Sequence, residues 1–206
     1  MQPMSRRGIG PLAAVALLAS AVNARALEEA DAAAFIRSLG ERTVNLLRNS
    51  SNDREALTRG TAELLNEAVA VDVMARLALG RSWRQADEAQ RQTYVELCRD
   101  YILGTLAYRF ASYTGSERFV ITGTRPAGGD AIVASRIEYV GYPPLLLEWR
   151  VRGDGQPRIV DVAVEGVSMM LTFRSEFDSI VARRGIDGLL RELTAQTGAA
   201  SADEGG

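Results

Sequence analysis

The chain has 206 residues, of which 47% are hydrophobic and 24% charged, a balance typical of one folded domain and unlike that of a disordered chain. It contains no histidine and a single cysteine, Cys98. These absences exclude Ser/His/Asp and Cys/His hydrolases, histidine-containing zinc sites and an internal disulfide bond. What remains is an enzyme driven by carboxylates or a protein that binds without doing chemistry.

The first 26 residues have the three parts of a secretory signal peptide. Arg6 and Arg7 form the positive region, residues 9–22 form an apolar stretch, and residues 24–26 read Ala-Arg-Ala, an A-x-A cleavage pattern. The apolar stretch is shorter than the ~20 residues that a membrane-spanning helix needs. We therefore expect export to the periplasm by general secretion, with twin-arginine export as the alternative.

Cleavage after Ala26 changes the charge balance of the chain. The mature part carries 21 positive and 26 negative side chains, a net charge of −5. An acidic chain is not expected to bind nucleic acid, nor to adhere tightly to anionic lipid by general attraction.

The first half of the mature chain is predicted to be helical. Apolar residues recur with a helical period over residues 30–48, 53–69 and 72–79. Gly80 is expected to end the third helix. A fourth helix is predicted from residue 87 to about 113, because Asp87 and Gln90 have the spacing of a capping box. Its apolar surface is wide, so we expect it to be covered on more than one side.

After Gly115 the hydrophobic period changes from 3.6 to 2. This alternation predicts four strands, at residues 118–124, 131–140, 145–152 and 158–164. The connections are short and rich in turn residues, as in an antiparallel meander. Each strand has one apolar face, which in the third strand consists of Leu145, Leu147, Trp149 and Val151, and in the fourth of Val160, Val162 and Val164.

Helix is predicted again after the strands. One helix covers residues 167–182, Gly185 follows it, and Asp187 is placed to cap a short last helix. Residues 197–206 are small and polar and are predicted to be a disordered tail. The fold class is therefore α+β, with residues 27–196 forming one domain in which helices pack on an antiparallel four-stranded sheet.

The best candidate for carboxylate chemistry is the pair Asp161 and Glu165. Four residues apart on a strand, they are expected to share one face, and paired carboxylates can divide the roles of acid and base. A structurally bonded pair beside a strand end is the favoured interpretation. Ser168 lies at a strand-to-helix turn, and without a histidine base we interpret it as a cap or turn residue.

Bulky apolar residues on the sheet and on the helices are predicted to face one another. The sheet contributes Val133, Ile137, Leu147, Trp149, Val151, Val162 and Val164. The helices contribute Met74, Leu77, Tyr101, Leu106, Met169, Met170, Phe173 and Phe177. A filled core and a lined cavity have the same composition, so the pattern by itself leaves both open.

Two separated blocks of the sequence resemble the MlaC family of periplasmic phospholipid carriers, also called toluene-tolerance proteins. The first block is residues 73–84, VMARLALGRSWR, followed by Gln90, Arg91 and the long helix. The second is residues 161–169, DVAVEGVSM, followed by Arg174, Phe177 and the run GIDGL at residues 185–189. The resemblance covers about residues 30–195. It departs from the family at Asp87-Glu88, where Thr-Pro is frequent, and in the acidic charge of the chain.

The resemblance implies a fold and a function. The fold is a cystatin/NTF2-like curved sheet enclosed by helices around a deep apolar pocket, lined by the fifteen apolar residues above. The cargo is a bound phospholipid, with no cofactor or metal and no catalysis. The lipid headgroup would meet Arg81, Arg84 or Arg174.

The same resemblance implies partners and alternatives. The protein would be a soluble shuttle between an outer-membrane lipoprotein/porin complex and an inner-membrane ABC transporter with a ring of MCE domains, touching membranes only transiently. The alternatives are a carrier of a hopanoid within the same family, a small periplasmic NTF2-like enzyme using Asp161 and Glu165, and a lipid-free adaptor with a solid core.

Overall fold

The structure, a computed structural model, describes residues 28–50, 53–110, 116–153 and 155–203. The signal peptide expected at residues 1–26 lies outside the described residues. The helices are α1 (Glu29–Asn49), α2 (Arg54–Ala68), α3 (Val71–Leu79), α4 (Glu88–Phe110) and α5 (Met169–Asp203), with a 3-10 helix at Gly80–Arg84. The strands are β1 (Arg118–Ala127), β2 (Asp130–Tyr139), β3 (Tyr142–Arg152), β4 (Arg158–Val164) and β5 (Val167–Ser168).

The helix ends follow from local sequence signals. The capping box before α4 is confirmed: the backbone N–H of Asp87 donates to Gln90 Oε1 at 3.0 Å, and the backbone N–H of Gln90 donates to Asp87 Oδ1 at 2.8 Å. Asp53 caps α2 in the same way, accepting from the backbone N–H of Ala56 at 2.9 Å. Gly80 ends α3 with φ of 55°, a conformation that favours glycine.

The sheet is antiparallel in the order β1-β2-β3-β4-β5 and so has five strands rather than the predicted four. The extra strand, β5, forms where helix was expected from residue 167. Glu165 and Gly166 adopt φ of 49° and 79°, and this tight turn brings Val167 back beside Val164. A strand of two residues is too short to show the alternation on which the prediction depends.

The predicted inner face of the sheet is confirmed for β2 and β3. Val133 pairs with Trp149, Trp149 pairs with Val162, and all three are buried. In β4 the register shifts, so that Ile159 rather than Val160 lies opposite Val151 and joins the main core. Such a bulge changes which side chains share a face, and simple alternation misses it.

The helices cover this inner face. α1 packs against β1 and β2, α2 against α1 and α4, and α5 against α3, α4 and β4. α5 bends at Gly185, where φ is 68°, as the predicted helix end there requires. α5 then continues to Asp203, so residues 197–203 are helical where a disordered tail was expected. The alanines at 199, 200 and 202 favour this, because alanine is the best helix former. In the part of the chain described, no helix is long and apolar enough to cross a membrane.

An ion-pair fork closes the sheet at the end away from the β2–β3 turn. The Asp130 carboxylate accepts from Arg150 Nε at 2.6 Å and from Arg152 Nε at 2.8 Å. Burial alone would raise the pKa of Asp130, but the hydrogen bonds from Arg152 and Arg150 outweigh it and hold that pKa below its usual value. The fork thus joins the neighbouring strands β2 and β3 at this end.

Candidate functional site

The candidate site is the apolar layer between the sheet and the helices. Eleven of the fifteen predicted lining residues are buried in one continuous cluster, namely Met74, Val133, Ile137, Leu147, Trp149, Val151, Val162, Met169, Met170, Phe173 and Phe177. Tyr101 and Val164 are half-buried and pack against this cluster. The structure therefore brings these residues of β2, β3, β4, α3, α4 and α5 together.

Of the two remaining predicted lining residues, Leu77 lies outside that cluster and Leu106 cannot be placed. Leu77 is 45% exposed, because the buried face of α3 carries Met74, Ala75 and Ala78, and position 77 lies off that face. Leu77 therefore lies outside the buried cluster, and its contact with lipid stays a prediction. Leu106 belongs to α4, but its side chain lies outside the described part of the chain.

Aromatic rings fill the space between α4 and α5. The ring of Phe177 lies 6.2 Å from that of Tyr94 and 6.1 Å from that of Phe173, and the Tyr101 ring lies 5.4 Å from that of Phe173. The Tyr94 hydroxyl donates to the backbone oxygen of Ala75 at 2.9 Å. Burial, and then the nearby Glu176 carboxylate, raise the pKa of Tyr101. These described residues therefore pack ring against ring on this side of the layer.

A narrow cavity lies on the other side of the layer, between α1, α2 and the sheet. Its volume is about 20 Å³, room for about one water molecule. It is lined by Leu39, Thr43, Leu46, Leu47, Thr61, Leu64, Leu65, Val69, Trp149, Ile159 and Val162. Of the predicted lining residues only Trp149 and Val162 border it. The leucines of α1 and α2 were visible in the sequence as helical periods, but nothing there indicated that they border a cavity.

Trp149 presents only apolar surface to this cavity. Its indole N–H donates to Ser135 Oγ at 2.8 Å, which satisfies its polar group inside the sheet. The Phe119 ring meets it edge to face at a centroid distance of 6.4 Å. Trp149 is therefore a fixed apolar wall between β2, β3 and the helices above them.

The three arginines predicted to contact a headgroup lie at the 3-10 helix. Arg81 and Arg84 are exposed residues of that helix, and the guanidinium of Arg174 lies against Gly80, where an added Cβ would come within 3.1 Å of Arg174 Nε. Sequence analysis missed two further arginines at this place. The Cζ atoms of Arg76 and Arg91 lie 4.9 and 5.6 Å from the centre of the Trp83 ring.

Comparison with known proteins shows the family of the chain. The model of the MlaC protein family matches residues 37–195. The chain belongs to the MlaC family. In fold it is similar to the phospholipid-binding protein from Ralstonia solanacearum, whose structure was determined in complex with a phospholipid: the TM-score is 0.72 at 20% sequence identity, over 83% of this chain and 99% of that chain. The similarity confirms an α+β fold with an antiparallel sheet.

The carboxylate pair has structural partners in this MlaC-family chain. Asp161 accepts from Ser168 Oγ at 2.6 Å and from the backbone N–H of Met170 at 3.1 Å. Ser168 Oγ in turn accepts from the backbone N–H of Leu171 at 3.1 Å, which makes it the cap of α5. Glu165 lies in the β4–β5 turn, where its carboxylate accepts from the backbone N–H of Leu146 at 2.7 Å. Asp161 thus holds the start of α5 to β4, and Glu165 holds the β4–β5 turn to β3.

The described residues also contain no group of three or more histidine, cysteine, aspartate or glutamate side chains placed to hold a metal ion. The chemistry that this MlaC-family site offers is apolar contact. The buried polar groups Ser135 Oγ and the Tyr94 hydroxyl are hydrogen-bonded to Trp149 Nε1 and to the backbone oxygen of Ala75.

Proposed function

We propose that this MlaC-family protein binds a phospholipid by its acyl chains and carries it through the periplasm. The donor and acceptor would be an outer-membrane lipoprotein/porin complex and an inner-membrane ABC transporter with a ring of MCE domains, with transport in a direction set by those partners. The protein is exported by a cleaved signal peptide and acts as a carrier, not as an enzyme.

One observation carries the proposal. The phospholipid-binding protein from Ralstonia solanacearum, in complex with its lipid, shares this fold over nearly its whole length. Membership of the MlaC family supports the same reading. The inner face of the sheet, from Val133 to Val162, supplies the continuous apolar surface that acyl chains require.

Physical chemistry limits how the lipid can sit. The acyl chains gain from contact with the apolar layer, whereas an unpaired phosphate would be very costly to bury. The headgroup is therefore expected at the surface, with Arg81, Arg84 and Arg174 as candidate contacts. Because the cavity beside Trp149 holds about one water molecule, acyl chains reach it only when the side chains or helices that border it move apart.

The carboxylates give no support to a catalytic alternative. Asp161 and Glu165 are bound to the backbone N–H groups of Met170 and Leu146, and neither borders the cavity beside Trp149. Replacing Asp161 by Asn is expected to weaken the start of α5, as loss of a cap does.

The two tryptophans of the chain allow a direct test. Trp149 borders the apolar cavity, whereas Trp83 lies between Arg76 and Arg91 outside it. In a Trp83→Phe variant, a phospholipid with brominated acyl chains should quench the fluorescence of Trp149. In the matched Trp149→Phe variant the same lipid should quench Trp83 much less, because Trp83 lies beside the proposed headgroup contacts Arg81 and Arg84 rather than along the sheet face that the brominated chains would cover.

The outcomes separate the alternatives. Equal quenching of both tryptophans, or of neither, would contradict a lipid bound at this face. Mass spectrometry of lipids extracted from the purified mature protein identifies the natural cargo. Detection of a phospholipid supports the proposal, whereas detection of a hopanoid would identify the cargo as a hopanoid instead. Protein without bound lipid that also takes none from vesicles would favour the lipid-free adaptor.

A further inference from the structure

The turn between β2 and β3 projects an apolar tip into solvent. Val140 is 95% exposed and Tyr142 is 77% exposed, and Pro143 and Pro144 beside them are exposed as well. Residues 139–146, YVGYPPLL, contain no charged side chain, in a chain where charged residues make up 24%. Single exposed apolar residues are ordinary, but a contiguous group of them marks a contact surface.

A second group of exposed apolar residues lies at the same end of the sheet. Leu146 is 51% exposed, Val167 is 62% exposed and Leu171 is 67% exposed. The β4–β5 turn fixes Leu146, since the Glu165 backbone N–H donates to the Leu146 oxygen at 3.0 Å and the Glu165 carboxylate accepts from the Leu146 N–H. Val167 follows this turn, and Leu171 lies in the first turn of α5. We call the two groups the apolar end, which comprises Val140, Tyr142, Pro143, Pro144, Leu146, Val167 and Leu171.

The inner face of the sheet is less covered toward this end. At the far end of the inner face, Val133 and Val151 are fully buried. Toward the β2–β3 turn, Tyr139, Leu145 and Val164 are only partly buried, although each packs against the core. The surface that would hold acyl chains is thus least covered where the exposed tip projects.

The shape and chemistry of the apolar end favour one occupant, a lipid bilayer. The tip is a convex two-residue turn at Val140 and Gly141, closed by pairing of Tyr139 with Tyr142 after a register shift at Glu138. Pro143 and Pro144 have no backbone N–H to leave unpaired in the headgroup layer. Its few side chains are far from the ~1,200–2,000 Å² that a stable protein interface buries. Insertion into the headgroup layer has no such minimum, and tyrosine is enriched at that depth.

We propose that the apolar end docks this protein on a lipid bilayer by shallow insertion of the β2–β3 turn, with the less covered end of the sheet's inner face toward the lipids. This rests on the proposed function and adds the surface through which cargo enters and leaves. Because residues 139–146 carry no positive charge, docking does not depend on anionic lipid.

Flotation with vesicles of neutral phosphatidylcholine tests this surface. The mature protein should float with the vesicles, and the double variant Val140→Asp/Tyr142→Asp should bind them about tenfold or more weakly. Both positions are exposed, so the fold should survive. Gln156→Asp is the matched control, because it adds a charge in an exposed turn at the opposite end of the sheet, and it should float like the unmodified protein.

A second variant reports insertion directly. Val140→Trp, made in the Trp83→Phe background, should show fluorescence that shifts to shorter wavelength when vesicles are added, beyond any shift of the Trp83→Phe parent, because the new indole leaves water. The absence of a shift in the variant at saturating vesicle concentration would overturn the proposal. So would unchanged flotation of the double variant, the result expected if the tip docks on a protein.

Failure of docking and failure of cargo binding can be told apart. Brominated phospholipid supplied in dilute detergent measures quenching of Trp149 without vesicles. A double variant that loses flotation and keeps this quenching supports the docking surface. Protein that is quenched but never floats refutes the docking surface alone, whereas protein that floats but is never quenched refutes the proposed function and leaves the docking surface standing.

Discussion

Phe177 tests whether the aromatic cluster is core or cavity wall. Its side chain is 1% exposed and its ring contacts those of Tyr94, Tyr101 and Phe173 at centroid distances of 6.2, 6.0 and 6.1 Å. Truncating a phenylalanine in a filled core costs about 3–5 kcal/mol. The full burial and three ring neighbours of Phe177 place Phe177→Ala in the upper half of that range.

The two possibilities, core residue and cavity wall, predict different stabilities for the lipid-free protein. If Phe177 faced an empty cavity, its truncation would leave the stability of the lipid-free protein nearly unchanged. Phe177→Leu, which keeps most of the volume but loses the ring contacts, should cost about 1–2 kcal/mol. Leu171→Ala, on the same helix and 67% exposed, should stay within about 0.5 kcal/mol of the unmodified protein.

Urea unfolding followed by circular dichroism measures these differences as shifts in midpoint at constant slope. A loss of less than about 1 kcal/mol for Phe177→Ala would refute the assignment of the aromatic cluster to the core. It would also return Phe177 to the lining of a cavity, as the sequence analysis first placed it.

Three further predictions concern stability and reactivity. The pKa of Asp130 is held down by its two arginine partners, so the ionised carboxylate should contribute fully to the stability of the fold above about pH 4 and lose this contribution as the pH falls further. The loss of stability caused by Asp130→Asn should therefore shrink in acid, and a loss that stays constant with pH would contradict this. Burial raises the pKa of the Cys98 thiol to about 11, so a thiol reagent at pH 8 should react about 100-fold or more slowly with folded than with urea-unfolded protein, and equal rates would show an accessible thiol. Gly40→Ala should destabilise the protein by about 1–2 kcal/mol in urea unfolding, because its Cβ would lie 2.7 Å from the Phe119 ring. Gly104→Ala, whose Cβ would have nothing within 4 Å, should stabilise the protein by about 0.5–1 kcal/mol. The reverse order of stabilities would refute the close packing of Gly40 against Phe119.

Most of the fold could be predicted from patterns that act over a few residues. The capping box at Asp87 and Gln90 and the glycine stop at Gly80 are local, and the structure has both. The alternation in β3 identifies its buried face, because Leu147, Trp149 and Val151 all point inward. Such features depend on neighbouring residues alone and can therefore be predicted from the sequence.

The features that were missed depend on contacts between distant residues or on departures from regularity. β5 exists because Glu165 adopts a positive φ and returns the chain to β4. A bulge in β4 places Ile159 rather than Val160 in the main cluster, although both are buried. Leu77 has the composition of a core residue and lies off the buried face of α3. The division of the apolar layer into a filled part and a narrow cavity depends on how side chains fit, which composition does not encode.

The energetics of transfer require a route that avoids water. A phospholipid with two chains of about fifteen methylenes each would pay about 24 kcal/mol to leave an apolar interior for water, at ~0.8 kcal/mol per methylene. A barrier of that height allows roughly one event per day. A carrier with such a cargo therefore has to deliver it by contact, which is the role proposed for the apolar end.

Contact delivery and delivery through water differ in how the rate depends on acceptor concentration. For contact delivery, the transfer of a fluorescent phospholipid from the loaded protein should become faster in proportion to the concentration of acceptor vesicles. The Val140→Asp/Tyr142→Asp variant should transfer about tenfold or more slowly at each concentration, with Gln156→Asp unchanged. A rate that does not depend on vesicle concentration would mean that escape into water limits delivery. If such escape took only minutes, the interior would hold the acyl chains far more weakly than the transfer energy of about 24 kcal/mol implies.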